Sequence, residues 1–388
     1  MGLAWMFLTR RNRRGATDFG LASIAWYTVS PSNTKHTGIT AGRVPSEVAR
    51  CPTRARVMRR RKPGSISVVS RLIITIFLRE ADVKALLTMD ATMAALESAF
   101  RDWAAGRAVN QPRRRVTAGA VLATMSAALP SSGLMGFKSY THGPNGARFW
   151  LALFDASDGR PRALMEADWL GRLRTGAASG LATRYLARRD ASVFTIVGTG
   201  HQALTQALAV AAVRPLREVR VFSRDTGHRA AFADQLTAAI EVPVRPMMSL
   251  RDALDGAEIV TTITWAAQPI FPGEWLQAGQ HLNVCGSNIP DRREVDGRTI
   301  ARADLLVADD VDAARLEAGD LILAEREGQL SWGRVHSLRD VVAGATGHRQ
   351  PSDVTLFKSV GLAIEDVAAG AVVLQQAEAR GVGVRLPD

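Results

Sequence analysis

Ser192-Val-Phe-Thr-Ile-Val-Gly198-Thr199-Gly200-His201-Gln202-Ala203 is an apolar run that passes straight into Gly-x-Gly-x-x-Ala, and a helix-compatible segment, residues 202–213, follows it. The first glycine permits a tight turn, Gly200 lets the backbone approach a pyrophosphate, and Ala203 keeps helix and strand close. A lone glycine pattern is weak evidence. This one has a strand before it, a helix after it and a second strand, residues 218–223, at the spacing of a βαβ unit. Further segments alternate in the same way: 242–247, the helix-like 249–254, 258–264, 281–286 and 304–308. The alternation predicts an α/β fold with a parallel, doubly wound sheet that binds a dinucleotide.

The end of the second strand bears on which dinucleotide. A carboxylate there accepts from the ribose 2′-OH of NAD, whereas a hydroxyl or a cation welcomes the 2′-phosphate of NADP. The chain reads Val221-Phe222-Ser223-Arg224-Asp225. Ser223 and Arg224 favour NADP(H), and Asp225, two residues on, keeps NAD(H) open.

Upstream the texture differs. Residues 80–87 and 89–105 carry apolar residues at helical spacing (Met93, Leu96, Phe100, Trp103), with Thr88 or Asp90 as N-cap. Short alternating runs follow at 116–125, 134–140 and 149–155, then the turn Asp158-Gly159 and a returning strand, 162–167. This part reads as a mostly antiparallel sheet beside two helices, and residues 175–188 read as the helix leading into the nucleotide-binding half. A lone Arg or Lys on such strands, such as Arg114 or Lys138, is ordinarily just an exposed residue.

Charge separates the chain into two regions. Its formal net charge is +12, but residues 1–71 hold 14 basic and 2 acidic residues, leaving 35 of each sign in the remaining 317. A basic leader precedes a neutral body, so no field over the body points to nucleic acid. The Arg-rich leader fits a transit peptide, a nucleic-acid-binding arm or non-native sequence translated upstream of the true start, and it is assigned no catalytic role. The body is too long for one core, and two domains are expected: 72–174 together with 345–388, and 175–344. Two cysteines, Cys51 and Cys285, make no disulfide framework and fit a reducing cytoplasm. The apolar run 72–78 is too short to cross a membrane.

Several motifs, in order, resemble the ornithine cyclodeaminase/mu-crystallin family: Arg172-Leu-Arg174-Thr175-Gly-Ala-Ala-Ser, the Gly-x-Gly-x-x-Ala turn, Thr261-Thr262-Ile-Thr264-Trp-Ala-Ala-Gln-Pro-Ile, His281-Leu-Asn-Val-Cys285-Gly286-Ser-Asn288, and Phe357-Lys358-Ser359-Val-Gly361-Leu-Ala-Ile-Glu365-Asp366. The resemblance runs over roughly residues 77–385 and leaves the leader without a counterpart. It implies a Rossmann-type domain plus a smaller α+β domain that binds substrate and forms a homodimer. It also implies nicotinamide-dependent oxidation or reduction of small amino acids and cyclic imines, or cyclisation of ornithine with catalytic NAD. Pro112-x-Arg114, Gly136-Phe-Lys138 and Arg174-Thr175 match the family's pattern, so Arg114, Lys138 and Arg174 are implied to gather around the carboxylate of a small substrate. The run Arg113-Arg114-Arg115 leaves that first register open by one. A planar guanidinium holds a carboxylate bidentately, and Lys138 is suited to move the proton that imine reduction requires. Cofactor contacts are implied for Thr175, Gly198, Thr199, Gly200, His201, Gln202, Ser223, Arg224, Thr262, Thr264, Cys285 and Ser359.

One position departs from the pattern. Two residues after the glycine that ends the fifth strand, ornithine cyclodeaminases carry an aspartate, and here it is Asn288. An amide takes no proton at neutral pH and offers no charge to a δ-ammonium group. The expectation is therefore an NAD(P)H-dependent oxidoreductase acting on a cyclic imine, a ketimine or a small 2-amino/2-oxo acid, with Lys138 and Asn288 at the reacting centre. Ornithine cyclodeaminase and a non-catalytic protein that binds NADPH and a small ligand are the alternatives. The seven histidines show no metal-ligand spacing, so no metal is expected. Cys285, at the end of an apolar strand, reads as a small buried residue rather than a nucleophile.

Overall fold

The structure is a computed structural model that describes residues 75–387. The basic leader expected over residues 1–71 lies outside the described residues, as do the first residues of the apolar run 72–78. Val193–Val197 is a strand of five consecutive buried residues whose side chains alternate between two cores. Phe194 and Ile196 pack with Val210, Val219 and Leu236, while Val197 joins the larger core with Val260, Leu282 and Leu356. A strand covered on both faces needs this unbroken apolar run, and parallel sheets supply such cover.

Around it lies an eight-stranded parallel sheet in the order Val244–Pro246, Glu218–Phe222, Val193–Val197, Ile259–Thr262, His281–Val284, Thr355–Lys358, Leu305–Ala308, Val335–Ser337. The chain moves outward from Val193–Val197 through Glu218–Phe222 to Val244–Pro246. It then returns to the other side at Ile259–Thr262, so a crevice opens between the carboxyl ends of these neighbouring strands. That reversal of strand order is where doubly wound folds bind ligands.

The second sheet is mixed: Val384–Arg385, Ile76–Leu78, Pro161–Glu166, Gly146–Asp155, Leu134–Gly143, Ala120–Leu129 and Val109–Asn110, with Arg114–Ala118 also pairing to Ala120–Leu129. Helix Met89–Ala104 packs on helix Ala363–Arg380, which covers the sheet's inner face, where Met125, Leu151, Leu153 and Met165 are buried. Thr88 caps the first of these helices, accepting from the Ala91 amide. The long helix Asp168–Leu186 joins the halves, packing on Met89–Ala104, on Ala363–Arg380 and on helix Ala203–Ala211. At Gly176 a Cβ would press into the Thr205 carbonyl, so the two helices meet almost backbone to backbone.

Three expectations change. The run 116–125 is not one strand: Gly119, at φ 81°, folds it into the hairpin Arg114–Ala118 and Ala120–Leu129. The helix expected from residue 175 begins at Asp168, seven residues sooner. The segment 345–388 does not return as a unit, because Thr355–Lys358 is an interior strand of the parallel sheet. Only the chain from Ala363–Arg380 onward joins the mixed sheet. The turn at Asp158-Gly159 forms as expected, with Gly159 at φ 78° and the Asp158 carboxylate accepting from the Arg160 amide.

Candidate active site

A cavity of about 510 Å³ lies between the crevice of the parallel sheet and the edge of the mixed sheet. Lys138 reaches it from strand Leu134–Gly143, whose alternation turns Lys138 inward and Phe137 out. Lys138 is only 3% exposed, and its ammonium sits 2.9 Å from Asp366 Oδ1 and 5.5 Å from the centre of the Phe149 ring. Gly171 faces it, where a Cβ would lie 2.8 Å from Nζ. Burial pushes the Lys138 pKa down, Asp366 opposes that push and Arg174 adds to it; the balance is about 8.

Arg174 comes from the second turn of helix Asp168–Leu186. Its Nη1 is 2.7 Å from Glu365 Oε2, and its Nε is 3.0 Å from Asp366 Oδ1. Burial works against the guanidinium's charge, but Asp366 and Glu365 outweigh it and raise the pKa. Glu365 is itself pushed up to about 7, by burial that Arg174 only partly offsets. Among the described residues, Glu365 Oε1 and Asp366 Oδ2 are buried with no hydrogen-bond partner. Lys138 and Arg174 thus line the cavity, with the buried carboxylates of Glu365 and Asp366 paired to them from behind.

The arginine run requires a correction of register. Arg114 is exposed and pairs in the hairpin opposite Thr124, and the cavity is lined instead by Arg113 and Arg115. Alternation puts those two on the face opposite Arg114. Arg113 pairs with Glu317 and donates to the carbonyls of Val360 and Gly361, both at 3.0 Å. Arg115 Nη1 is 2.6 Å from Glu317 Oε1, and its Nη2 donates to the Asn288 carbonyl at 3.2 Å. Asn288 lines the cavity with both ends of its amide engaged: Oδ1 faces Arg115 Nη2 at 3.5 Å and Nδ2 donates to Val360 O at 3.4 Å.

The dinucleotide side is assembled differently from its expectation. Gly198, at φ 110°, is required because a Cβ would collide with the Ile263 carbonyl. At Gly200 a Cβ would meet nothing within 4 Å, so the turn leaves open space for a ligand to approach. Thr175, His201, Gln202, Cys285 and Ser359 all line the cavity, and Gln202 Oε1 is buried without a partner. These features fit a nicotinamide dinucleotide laid across the turn. His201 Nε2 sits 2.9 Å from both oxygens of Asp168 at the rim. Cys285 is 3.2 Å from the Ser179 hydroxyl, and burial pushes its thiol up to about 12, so it stays protonated.

Thr199, Ser223 and Arg224 do not line this cavity, and the last two stand beyond it at the end of strand Glu218–Phe222. Asp225 is engaged there as the N-cap of helix Thr226–Thr237, accepting from the His228 amide at 2.7 Å. Thr262 and Thr264 turn away from the cavity. Both hydroxyls donate to buried Glu294, which also accepts from the amides of Thr264 and Gly286. Glu294 therefore ties the ends of two strands together, a role no local pattern announces. Two more anchors sit beneath the cavity. Lys358 holds the Ser287 carbonyl and pairs with Asp320 Oδ2, each at 2.8 Å. Asp309 accepts from the Ser359 hydroxyl and from the amides of Val360 and Gly361. Among the described residues no group of three His, Cys, Asp or Glu side chains is placed to hold a metal. No described helix is long and apolar enough to cross a membrane.

Comparison with known proteins agrees with this geometry. Residues 74–381 match the sequence profile of the ornithine cyclodeaminase/mu-crystallin family. The chain is 37% identical over 236 residues to a Delta(1)-pyrroline-2-carboxylate reductase from Bacillus cereus, covering 60% of this chain and 72% of that protein. It is 31% identical over 321 residues to an alanine dehydrogenase from Archaeoglobus fulgidus, covering 80% of this chain and 98% of the other. Among solved structures, Thermococcus litoralis Delta(1)-pyrroline-2-carboxylate reductase in complex with NADH and L-proline superposes with a TM-score of 0.77. It is 31% identical, and the match covers 80% of this chain and all of that one.

Proposed function

This chain belongs to the ornithine cyclodeaminase/mu-crystallin family, and we propose that it reduces the C=N bond of a small imine bearing a carboxylate. It is an NAD(P)-dependent oxidoreductase of the imine reductase and amino-acid dehydrogenase type. The observation that carries the substrate assignment is the pair of cavity-lining cations Lys138 and Arg174, backed by buried Asp366 and Glu365.

A carboxylate in this cavity meets Arg113 and Arg174, each already oriented by its own buried carboxylate, with Lys138 beside them. Guanidinium forks held in place lose little entropy when the substrate arrives, which favours a fixed approach of the C=N carbon. The nicotinamide, when bound, supplies the hydride. Lys138, at about 8, is protonated through most of the neutral range and acidic enough to release its proton to a developing amine nitrogen. Asp366 holds that ammonium in place and, with Arg174, sets its acidity. Thr175, His201, Gln202, Cys285 and Ser359 would hold the dinucleotide where it enters the cavity.

Asn288 supports reduction rather than ornithine cyclisation. Its oxygen faces Arg115 and its nitrogen donates to a carbonyl, so it presents no carboxylate to a δ-ammonium group. Ser223 and Arg224 support NADP(H) over NAD(H), because the carboxylate of Asp225 is committed to capping a helix. The outer face of the mixed sheet, with Leu122, Phe137 and Trp150 exposed, suits a homodimer contact. The deciding assay follows NADPH and NADH oxidation with pyrroline-2-carboxylate, with piperideine-2-carboxylate, and with pyruvate plus ammonia. Turnover of at least one is expected. Measurable cofactor binding with no turnover of any would overturn the proposal.

A further inference from the structure

The cations around the cavity are not all alike. Arg113 and Arg115 share Glu317, while Lys138 and Arg174 share Asp366 and Glu365. Four cations facing three carboxylates leave about one positive charge, enough for a single substrate carboxylate. Arg172 stands outside this arrangement. It lines the cavity from helix Asp168–Leu186, and among the described residues it has no carboxylate within ion-pair distance. Its Nε is buried without a hydrogen-bond partner, and its guanidinium lies 5.2 Å from the centre of the Trp169 ring. Asp168, one turn earlier and correctly spaced for an i,i+4 pair, is held instead by His201.

A buried guanidinium N–H with no acceptor is costly to keep, and a bound anion removes that cost. The fork geometry matches a carboxylate bidentately, and the Trp169 ring lies beside the guanidinium. We infer that the substrate carries two carboxylates, the first held by Arg113 and Arg174 and the second by Arg172. The substrate class is then the imine of a dicarboxylic 2-oxo acid, or a cyclic imine with an additional carboxylate. The inference rests on reading the cavity as an imine-reductase site.

The test uses the full chain as wild type, Arg172→Met and Arg172→Lys, with NADPH and either oxaloacetate plus ammonia or pyruvate plus ammonia. The ratio of kcat/KM values, dicarboxylate to monocarboxylate, should favour the dicarboxylate in the wild type. It should fall about thirtyfold in Arg172→Met, the scale of one charged hydrogen-bonded contact, and recover in part in Arg172→Lys. An unchanged ratio overturns the inference. So does an equal rise in the KM for NADPH with both substrates, which would give Arg172 to a cofactor phosphate. If neither substrate turns over, the cyclic imines still decide the imine-reductase reading, and calorimetry decides the role of Arg172. Tighter binding of L-aspartate than of L-alanine to the NADPH-loaded wild type, lost in Arg172→Met, supports the second carboxylate site. Equal binding of the two amino acids, or a preference that survives in the variant, refutes it.

Discussion

Replacing Asp366 by Asn separates the electrostatic role of the charge cluster from its packing. Asp366 Oδ1 lies 2.9 Å from Lys138 Nζ and 3.0 Å from Arg174 Nε, and its side chain is wholly buried. Removing one partner of a buried pair costs about 3–5 kcal/mol if the orphaned charge stays. Lys138 has a cheaper course, which is to give up its proton. Without Asp366, burial and Arg174 act on Lys138 unopposed, and a fall of about 2 pKa units is worth roughly 3 kcal/mol. The descending limb of kcat/KM against pH reports the free enzyme's acid, so it should move from near pH 8 to about pH 6. At pH 7.5 the variant should then be about twenty-five-fold slower than wild type, yet nearly equal below about pH 5. Stability carries the same signature. Lys138 sits below its unfolded value of 10.5, so the cost of burying its charge is fully present below pH 8. That cost is relieved as pH rises to 10.5, a gain of about 3 kcal/mol from this group. In Asp366→Asn the relief should begin near the variant's lower pKa. If the descending limb stays near pH 8 while activity drops evenly at every pH, Lys138 does not deliver the proton and Asp366 merely positions Arg174.

Arg174→Ala should lower kcat/KM by about a hundredfold or more, since a charged bidentate contact and the order of its wall are lost together, and steady-state kinetics will show it. Gly200→Val fills space that is open in the protein, so nucleotide affinity should fall by an order of magnitude with Tm nearly unchanged. Gly198→Ala collides with the Ile263 carbonyl at a positive φ and should lower Tm by several degrees; paired thermal melts and nucleotide titrations distinguish the two. Ser223→Asp with Arg224→Ala should shift the kcat/KM ratio from NADPH toward NADH by about tenfold or more, and no shift would locate the choice elsewhere. Asn288→Asp places a carboxylate beside Arg115 and sets it against the Val360 carbonyl; ammonia release from ornithine above the wild-type level would show that this single position guards against cyclisation.

The nucleotide-binding half was legible because its chemistry is local. A buried strand, a glycine turn and the start of a helix follow one another within twelve residues, and each constrains the next. Strand order was not legible in the same way. Thr355–Lys358 inserts between His281–Val284 and Leu305–Ala308, and nothing within it records which neighbours it will have. The early start of helix Asp168–Leu186 was hidden for a related reason. It is buried around most of its circumference, so no amphipathic period marks it, and Ala167 at its N-terminus provides no capping side chain. The arginine register failed on a turn that carries no signal: Gly119 lies between two alanines, and only its hairpin sets which of three consecutive arginines faces inward.

The site divides along the same line. Lys138 and Arg174 sit in short motifs, and Arg113 stands one residue from the Arg114 that its motif indicated, but the partners of all three lie far along the chain: Glu317 for Arg113, Asp366 for Lys138, Glu365 for Arg174. Whether a cation is committed or available is therefore a property of the fold and not of its motif. Arg172 and Arg174 make the point most sharply, since they stand two residues apart in one motif. Their side chains leave the helix about 200° apart, so only one can face the carboxylates of Ala363–Arg380. Arg174 is oriented by both Glu365 and Asp366 before any substrate arrives, whereas Arg172, with Asp168 taken by His201, has no carboxylate of its own among the described residues. If selectivity among imines resides in this cavity, it resides in the uncommitted guanidinium, because the committed ones hold any carboxylate that enters.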